Sequence, residues 1–491
     1  MKPRLILAII LVTWPTGLAH AQWTDVAPGI SYTQMNLPGP VKVFIARADR
    51  GKDNWTIDAM TSKGTIKGGI ETVPDMAKRY DDTVTFDGRR YEVKAAINGS
   101  FYGVTGYSFG GQVMTGWYAK RYDDISGLSG FFWTADRKAD IGGDVQNGPN
   151  FQQVIFADKD EMNINAFNDK RGKDDLALYT AQYDATTGTD NNGVEVLVRV
   201  DEPLCINPKP PGVRGEILSI RKNAGSTTIP FDCVVLSAAG AAAPRLLQHA
   251  KKGQPVHLNL RLQDIGIDRY GMKPARWENV WGSINGTQNL LFDGIIPKHW
   301  EAKAARYAAE GKPHGSTKHD PRTCVAFNKD YVFFIVIDGR SEESIGMTYT
   351  ETAEFCKNTL KADHASMQDG GGSTTLWVDG KVRNTPSTKD KDGKYGVLRP
   401  VANGYLIARV HPPEFSKDNN TGDRVSAETA FELKLGPGSQ YGPAGKVIAG
   451  AKGEILKHKL AGVFAKGTNW WPCRFGQTEG WAAQERLKTA P

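Results

Sequence analysis

The stretch from Tyr331 to Ser387 constrains the fold more than any other part of the chain. An apolar run of strand length ends at Asp338, and a second short segment ends at Asp369, directly before three glycines. Between them, Thr348 and Glu351 have the spacing of a capping box, which predicts a helix start. In parallel α/β units, functional side chains gather at the carboxyl ends of strands. The stretch therefore predicts a β–α–β unit with chemistry at one edge of its sheet.

The rest of the chain predicts short β segments with few helices. Helices are expected at Thr72–Tyr80, where Pro74 suits the first turn, and around Ala242–Lys251. The predicted fold class is therefore α+β, a mixed β-sheet catalytic domain with packed helices. Residues 411–428 are rich in Pro, Asp, Asn and Lys and predict a linker. The frequent turn residues after it predict a small all-β barrel over 429–491, so the main domain is expected to span 22–410.

The first 21 residues predict a secretory signal peptide. Lys2 and Arg4 precede the apolar run Leu5 to Trp14, and Ala19 and Ala21 have the spacing of a cleavage site before Gln22. This predicts a mature protein that is exported, periplasmic or secreted. We find no stretch of ~18 apolar residues, so no transmembrane segment is predicted.

Composition excludes some partners and permits others. The 61 Lys and Arg against 54 Asp and Glu give a net charge of +7 over 491 residues. This balance suits an acidic or phosphorylated substrate but is too weak to indicate nucleic acid. The five cysteines leave at least one unpaired, and export permits disulfides. Cys205 and Cys233 flank one β-rich segment and are predicted to form a bridge.

Polar residues recur where predicted strands end. A single carboxylate near an arginine usually indicates a structural ion pair, but five such positions predict a site that binds an anion and moves protons. They are Asn98, Arg322, Asp338, Arg340 and Asp369. Arginine can bind phosphate or carboxylate through two hydrogen bonds. The N–H groups of Gly370, Gly371 and Gly372 are predicted to form an anion-binding concavity, and two carboxylates could divide acid and base roles.

Several segments, in order along the chain, resemble the phosphodiester glycosidase family. The resemblance covers roughly 31–410, with Ser100, Cys324 and Ala326 departing from the family pattern. Its segments are Asn98-Gly99-Ser100-Phe101, LYTAQYDATTGTDNNGVEVLV, VVLSAAG, WGSINGTQNLLFDG, Pro321-Arg322-Thr323, Asp338-Gly339-Arg340, Asp369 to Thr375, Asn384-Thr385-Pro386-Ser387, and Arg399 with Val401 to Gly404. The tail resembles a bacterial SH3-type domain, from Leu435 to Ser439 and Gly480-Trp481. That resemblance implies attachment to a cell wall or to a partner, or a barrel that only stabilises the main domain.

The family resemblance implies hydrolysis of a glycosidic bond, with a sugar joined to a phosphodiester in a glycan or cell-envelope polymer as substrate. Asp338 and Asp369 are the expected catalytic pair, as acid and base or with one of them as nucleophile, and either one could be the acid. The expected substrate-binding residues are Asn98 and Asn384 for sugar hydroxyls, Arg322 and Arg340 for the anionic group, and Thr323, Gly370, Gly371, Gly372 and Ser373 beside them. All of these segments are expected to converge on one pocket.

Three questions stay open at this stage. The substrate could be a phosphate-free exopolysaccharide, or the protein could be a non-catalytic glycan- or cell-wall-binding protein. Asp338 and Asp369 could hold Ca²⁺ or Mg²⁺, although no ligand spacing indicates a metal site. Nothing in the sequence indicates an organic cofactor.

Overall fold

Strands dominate the computed structural model, which describes residues 22–122, 130–148, 150–266, 273–297, 299–311 and 315–489. The predicted signal peptide, residues 1–21, lies outside the described residues. Strands hold 45% of the residues and helices 10%, so the predicted α+β class is wrong and the fold is mainly β. The predicted helices do form, but each is too short to build a layer of its own.

The described residues contain four α-helices. They are α1 (Val73–Tyr80), α2 (Ala242–His249), α3 (His299–Ala309) and α4 (Tyr349–Glu354), which continues as a π-helical turn, Phe355–Thr359. The predicted capping box is present, since the Thr348 hydroxyl accepts from the Glu351 N–H and the Glu351 carboxylate accepts from the Thr348 N–H.

In chain order, the strands can be divided into three sets, which do not correspond to separate sheets. The first is β1 (Thr24–Ala27), β2 (Ile30–Leu37), β3 (Val41–Asp49), β4 (Trp55–Thr61), β5 (Arg90–Asn98), β6 (Gln112–Met114), β7 (Trp117–Lys120), β8 (Gly130–Thr134), β9 (Ala139–Gly142) and β10 (Asp144–Gln146). The second is β11 (Gln152–Phe156), β12 (Glu161–Asn163), β13 (Ala166–Phe167), β14 (Leu176–Thr180), β15 (Gly193–Val200), β16 (Val213–Lys222), β17 (Cys233–Ala239), β18 (Pro255–Leu260), β19 (Gln263–Gly266), β20 (Val280–Ile284) and β21 (Gln288–Leu291). The third is β22 (Arg322–Phe327), β23 (Tyr331–Ile337), β24 (His364–Met367), β25 (Leu376–Val378), β26 (Lys381–Val382), β27 (Thr388–Lys389), β28 (Tyr395–Val397), β29 (Asn403–His411), β30 (Arg424–Ala427), β31 (Phe431–Lys434), β32 (Pro443–Val447), β33 (Lys452–Ile455), β34 (Val463–Ala465), β35 (Thr468–Phe475), β36 (Thr478–Ala483) and β37 (Leu487–Thr489).

A seven-stranded sheet contains β23 and β24, the two strands that were predicted to end at Asp338 and Asp369. Its strand order is β1-β2-β3-β23-β22-β24-β21. Strand β22 pairs antiparallel with both β23 and β24, so β23 and β24 run parallel with β22 between them. Arg322, the first residue of β22, pairs with Ile337, the last residue of β23. The start of β22 and the ends of β23 and β24 therefore lie at one edge, as the β–α–β unit predicted, with one antiparallel strand inserted.

A five-stranded sheet, β26-β25-β5-β29-β4, packs against the seven-stranded sheet. Phe44, Phe334 and Val336 of the first sheet share a buried core with Ile97 and Tyr405 of the second. Strand β23 is buried on both faces: Phe334 and Val336 enter this core, whereas Phe333, Ile335 and Ile337 enter a second core on the opposite face of the sheet. The segment 368–375 crosses from β24 in one sheet to β25 in the other, at the edge described above.

Two eight-stranded sheets make up much of the remainder. One has the order β12-β11-β18-β16-β15-β17-β14-β13, and the other is formed by β30 to β37 at the C-terminus. Strand β30 belongs to this C-terminal sheet although it falls within the predicted linker. Trp470 and Trp481 of the C-terminal sheet share a core with Phe86 and Phe231 of the main body. The C-terminal sheet thus packs on the body; its likeness to an SH3-type domain stays a prediction.

The predicted Cys205–Cys233 bridge is wrong, because all five cysteines are free thiols. Cys233 begins β17 and is fully buried, whereas Cys205 lies in a loop. The two sulfur atoms that do approach each other are those of Cys324 and Cys356, 3.9 Å apart. Among the described helices, none is long and apolar enough to cross a membrane.

Candidate active site

Asn98 fixes one end of the glycine-rich segment. Its amide nitrogen donates to the carbonyl oxygen of Asp369 (2.7 Å), and its amide oxygen accepts from the Thr323 hydroxyl (2.8 Å) and the Thr375 N–H (3.1 Å). Asn98 and Thr323 are both fully buried. Asn98 was predicted to orient sugar hydroxyls, but its amide is engaged by the protein itself. Asn98 and Thr323 therefore position the segment that carries Asp369.

Asn384 and Asp338 fix the other end of the same segment. The Asn384 amide oxygen accepts from the Leu376 N–H (2.8 Å), and its nitrogen donates to the Thr374 carbonyl oxygen (3.1 Å) and to Asp338 (3.0 Å). Both carboxylate oxygens of Asp338 also accept the Thr385 N–H, at 3.2 and 3.0 Å. Burial raises the pKa of Asp338 to about 6, although the Thr385 N–H and the Asn384 amide lower it. Asp338 is thus a buried carboxylate that holds backbone.

Arg322 also serves the architecture. Its guanidinium donates to the carbonyl oxygens of Met347 (2.8 Å), Gly315 (2.8 Å) and Lys318 (2.6 Å). It lies over the Tyr349 ring, 4.7 Å from the centroid, and only 5% of the residue is exposed. Burial lowers the pKa of Arg322, against the opposing effect of Tyr349 and Asp320. Arg322 was predicted to bind the anionic group of the substrate; instead it binds the loop at 315–318.

Two exposed arginines lie against the glycines that follow Asp369. Gly371 has a φ of +61°, and a Cβ there would lie 2.8 Å from Nη2 of Arg340. A Cβ at Gly372 would collide with the guanidinium of Arg399. The absence of side chains therefore lets both guanidinium groups approach the backbone. Nε of Arg340 also donates to Asp320 (2.8 Å), which holds Arg340 in this position.

The glycine N–H groups are arranged differently from the predicted anion-binding concavity. The Gly371 N–H donates to the Pro321 carbonyl oxygen (3.0 Å). The Gly370 N–H bonds to the Asp369 carboxylate and lowers its pKa. These two donors are thus used within the protein, and the positive charge at the site comes from the two arginines.

Asp369 is the carboxylate that lies among the two arginines. Burial raises its pKa, against the lowering effects of the Ser373 hydroxyl, Arg399, the Gly370 N–H and Arg340. The residue nevertheless keeps some exposure, unlike the buried Asp338. A partly exposed carboxylate that keeps a raised pKa beside two cations is an arrangement typical of a functional site.

Aromatic side chains border this carboxylate. The Tyr102 hydroxyl donates to the Pro400 carbonyl oxygen (2.8 Å), next to Arg399, and burial raises its pKa while Ser373 and Arg399 lower it. The loop that carries Tyr102 starts at Gly99, whose carbonyl oxygen accepts the Asp369 N–H (2.9 Å). Phe101 and Phe109 of this loop are 46% and 41% exposed. The loop thus carries two exposed aromatic rings and begins at a residue that is hydrogen-bonded to Asp369.

The predicted segments converge at one end of the sandwich, but with a division of roles. Asp369 and Gly370 are partly exposed and Arg340 is exposed, whereas Gly371 to Ser373 are buried. Asn98, Thr323, Arg322, Asp338 and Asn384 hold this segment from within. Sequence reasoning missed Asp320 and Tyr102, and it assigned no role to Arg399 although the family resemblance included it. The Arg-Pro pair at 399–400 was the available signal.

The described residues contain no group of three or more His, Cys, Asp or Glu side chains that could hold a metal ion. Both oxygens of Asp338 accept N–H groups, as a bare carboxylate does. The suggestion of Ca²⁺ or Mg²⁺ at Asp338 and Asp369 stays untested.

The model of the phosphodiester glycosidase family matches residues 213–408. This segment is similar to the phosphodiester glycosidase family. It contains both arginines of the site and Asp369, whereas Asn98 and Tyr102 precede it. No curated protein sequence matches the chain.

Three solved structures are similar to this chain at low sequence identity. A hypothetical protein from Synechocystis has a TM-score of 0.50 and 14% identity over 80% of this chain, which spans 64% of that protein. A putative exported protein from Burkholderia pseudomallei has a TM-score of 0.46 and 18% identity, with 76% of this chain and 74% of that one covered. The zebrafish N-acetylglucosamine-1-phosphodiester alpha-N-acetylglucosaminidase catalytic domain, auto-inhibited by its pro-peptide, has a TM-score of 0.37 and 13% identity, with 80% and 86% covered. The likeness to the Synechocystis protein concerns the fold alone.

Proposed function

We propose that the protein hydrolyses a glycosidic bond between a sugar and a phosphodiester, in a glycan or cell-envelope polymer. The observation that carries this proposal is the pair of guanidinium groups, Arg340 and Arg399, packed against Gly371 and Gly372 beside Asp369. Two adjacent arginines can bind the non-bridging oxygens of a phosphodiester through charge-assisted hydrogen bonds. A neutral polysaccharide would offer these arginines only hydroxyl groups.

The chemistry follows from this placement. A phosphate leaving group carries its own negative charge, which the two guanidinium groups stabilise as the bond to the sugar breaks. Asp369 acts as the base that takes a proton from water, and the water oxygen bonds to the anomeric carbon. Burial raises the pKa of Asp369, and a higher pKa makes its carboxylate a stronger base. Asp338 keeps segment 369–376 in place through Asn384 and is a positioning residue.

The exposed rings of Phe101 and Phe109 give the sugar a surface on which to stack. They lie on the loop that leaves Gly99, directly beside the backbone of Asp369. We further propose that the protein acts outside the cytoplasm, on the basis of the predicted signal peptide.

The test compares one sugar in two linkages: a sugar 1-(methyl phosphate) diester and the corresponding methyl glycoside. We expect release of free sugar and methyl phosphate from the diester, with and without EDTA, and little release from the glycoside. Asp369→Asn should abolish hydrolysis. Arg399→Gln and Arg340→Gln should each lower kcat/KM for the diester by roughly 100-fold, the usual effect of removing one charge-stabilising donor.

Arg276→Gln is the matched control, because Arg276 is exposed and outside the site. Preference for the phosphate-free glycoside, with both arginine variants unimpaired, would instead support a polysaccharide hydrolase. Glycan binding with no release of sugar over long incubation would support a non-catalytic binding protein.

A further inference from the structure

A cavity of about 330 Å³ lies where the C-terminal sheet meets the main body. We call it the junction cavity; its walls include Phe86, Trp117, Gln182 and Phe231 from the body and Gln440 and Tyr441 from the C-terminal region. None of its lining residues belongs to the candidate active site. Its volume falls within the range of small-molecule sites, which begins at about 300 Å³.

One wall of the junction cavity is a continuous row of aromatic rings. The centroids of Trp117 and Phe86 are 5.9 Å apart, those of Phe86 and Phe231 are 6.0 Å apart, and those of Phe231 and Tyr441 are 5.9 Å apart. The row begins in the body and ends in the C-terminal region. Neighbouring rings are inclined to one another by 71°, 49° and 61°, so the row forms an apolar wall of ring edges and faces against which the C–H groups of a sugar can pack.

Two glutamines stand on opposite sides of this junction. The side-chain carbonyl oxygens of Gln182 and Gln440 are buried, and neither has a hydrogen-bond partner in the part of the chain that the structure describes. A buried acceptor without a hydrogen bond destabilises the folded protein, so a ligand that donates a hydrogen bond to each oxygen would be favoured. A molecule with several hydroxyl groups would supply donors to the body and to the C-terminal region at once.

Charged groups at the junction cavity are largely neutralised within the protein. Arg79 is bound by Glu71 at 2.7 and 3.1 Å, and Asp184 lies 3.7 Å from Lys67. Lys63 is exposed to solvent. The walls therefore favour an uncharged ligand over a phosphate or a carboxylate.

We propose that the junction cavity binds a short segment of neutral carbohydrate, separately from catalysis. The aromatic row packs against the C–H groups of the sugar, and Gln182 and Gln440 accept hydrogen bonds from the sugar hydroxyls. Binding there attaches the protein to a glycan and links the C-terminal sheet to the body. Neutral carbohydrate would then be the ligand for the cell-wall attachment that the SH3-type resemblance implies. This proposal does not depend on the proposed hydrolysis.

The test is calorimetric titration of the full chain with uncharged oligosaccharides of two to four units, built from glucose or from N-acetylglucosamine. We expect saturable binding of at least one series. Gln182→Ala and Gln440→Ala should each weaken it about fivefold, as expected for the loss of one hydrogen bond. Gln34→Ala, the same change at an exposed position of β2, should leave binding unchanged.

Asp369→Asn separates this site from the catalytic one. Unchanged binding in this variant, with weakened binding in the two glutamine variants, places the ligand in the junction cavity. Failure of every oligosaccharide to bind at millimolar concentration overturns the proposal. So does binding that Asp369→Asn weakens and that the glutamine variants leave intact, because the ligand would then occupy the candidate active site.

Discussion

Replacement of Asn98 by alanine should destabilise the whole fold, because this one amide joins three segments. The substitution removes the hydrogen bonds to the Asp369 carbonyl oxygen, the Thr323 hydroxyl and the Thr375 N–H. Thr323 and Thr375 are 0% and 1% exposed, so water cannot replace the lost partner. Each buried polar group left without a partner costs about 1–3 kcal/mol. We therefore expect Asn98→Ala to lower the free energy of unfolding by about 4 kcal/mol, a large share of a typical total.

Urea unfolding at 25 °C, followed by tryptophan fluorescence and by circular dichroism, measures this loss. Asn36→Ala is the matched control, since Asn36 is exposed on β2 and its loss should cost under about 0.5 kcal/mol. Asn98→Asp adds a pH readout. Its ionised carboxylate would face the Asp369 carbonyl oxygen, whereas its protonated form could donate to that oxygen. This variant should approach wild-type stability near the pH at which the new carboxyl group is protonated.

A loss below about 1 kcal/mol for Asn98→Ala would refute the reasoning. It would mean that the amide is not a structural link and would restore the earlier expectation that Asn98 contacts sugar hydroxyls. In that case the substitution would raise KM while leaving the urea midpoint unchanged.

Three further predictions concern groups that do not contact the substrate in the proposed mechanism. Burial raises the pKa of Asp338 to about 6, so its contribution to stability is present below about pH 4 and is lost as pH rises through 6. Asp338→Asn should therefore make the urea midpoint less dependent on pH in this range, and an unchanged dependence would contradict the prediction. Nζ of Lys466 donates to the Lys78 (3.2 Å) and Arg79 (2.9 Å) carbonyl oxygens at the end of α1. Lys466→Met should therefore lower the free energy of unfolding by about 2 kcal/mol in the same urea assay, and a change within error would contradict this. Denatured, unreduced protein should take up five alkyl groups by mass spectrometry. An uptake of three would contradict this, because one pair of cysteines would then be joined; the pair expected in that case is Cys324 and Cys356, whose sulfur atoms are 3.9 Å apart.

The sequence revealed the position of the site better than the role of each residue. Strand length, turn residues and the capping box predicted β23, β24 and the helix start correctly, because these depend on local spacing. They could not show that the Asn98 and Asn384 amides point inward, since residue type at a strand end does not determine side-chain direction. Asn98 and Asn384 were therefore predicted to bind ligand, although their amides hold the backbone.

Long-range packing explains the other differences. The helix after β23 has six α-helical residues before its π-helical turn, so a correctly predicted start did not produce a helical layer. Flanking positions in sequence suggested that Cys205 and Cys233 pair, whereas the closest thiols, Cys324 and Cys356, lie on a strand and a helix that the tertiary fold brings together. Arg399 reaches the site only because β29, which follows it, pairs with β5.

The hydrogen bonds of Asn98 also bear on how the chain can fold. Its three partners lie 225, 271 and 277 residues further along the chain. Contacts at such separations form late, because the entropy of closing a long loop must be overcome first. β3 likewise pairs with β23, and β5 with β25 and β29. The segment 213–408, which the family model matches, is therefore not a folding unit, because it lacks the strands that complete both sheets. The candidate active site can assemble only after most of the chain has been made.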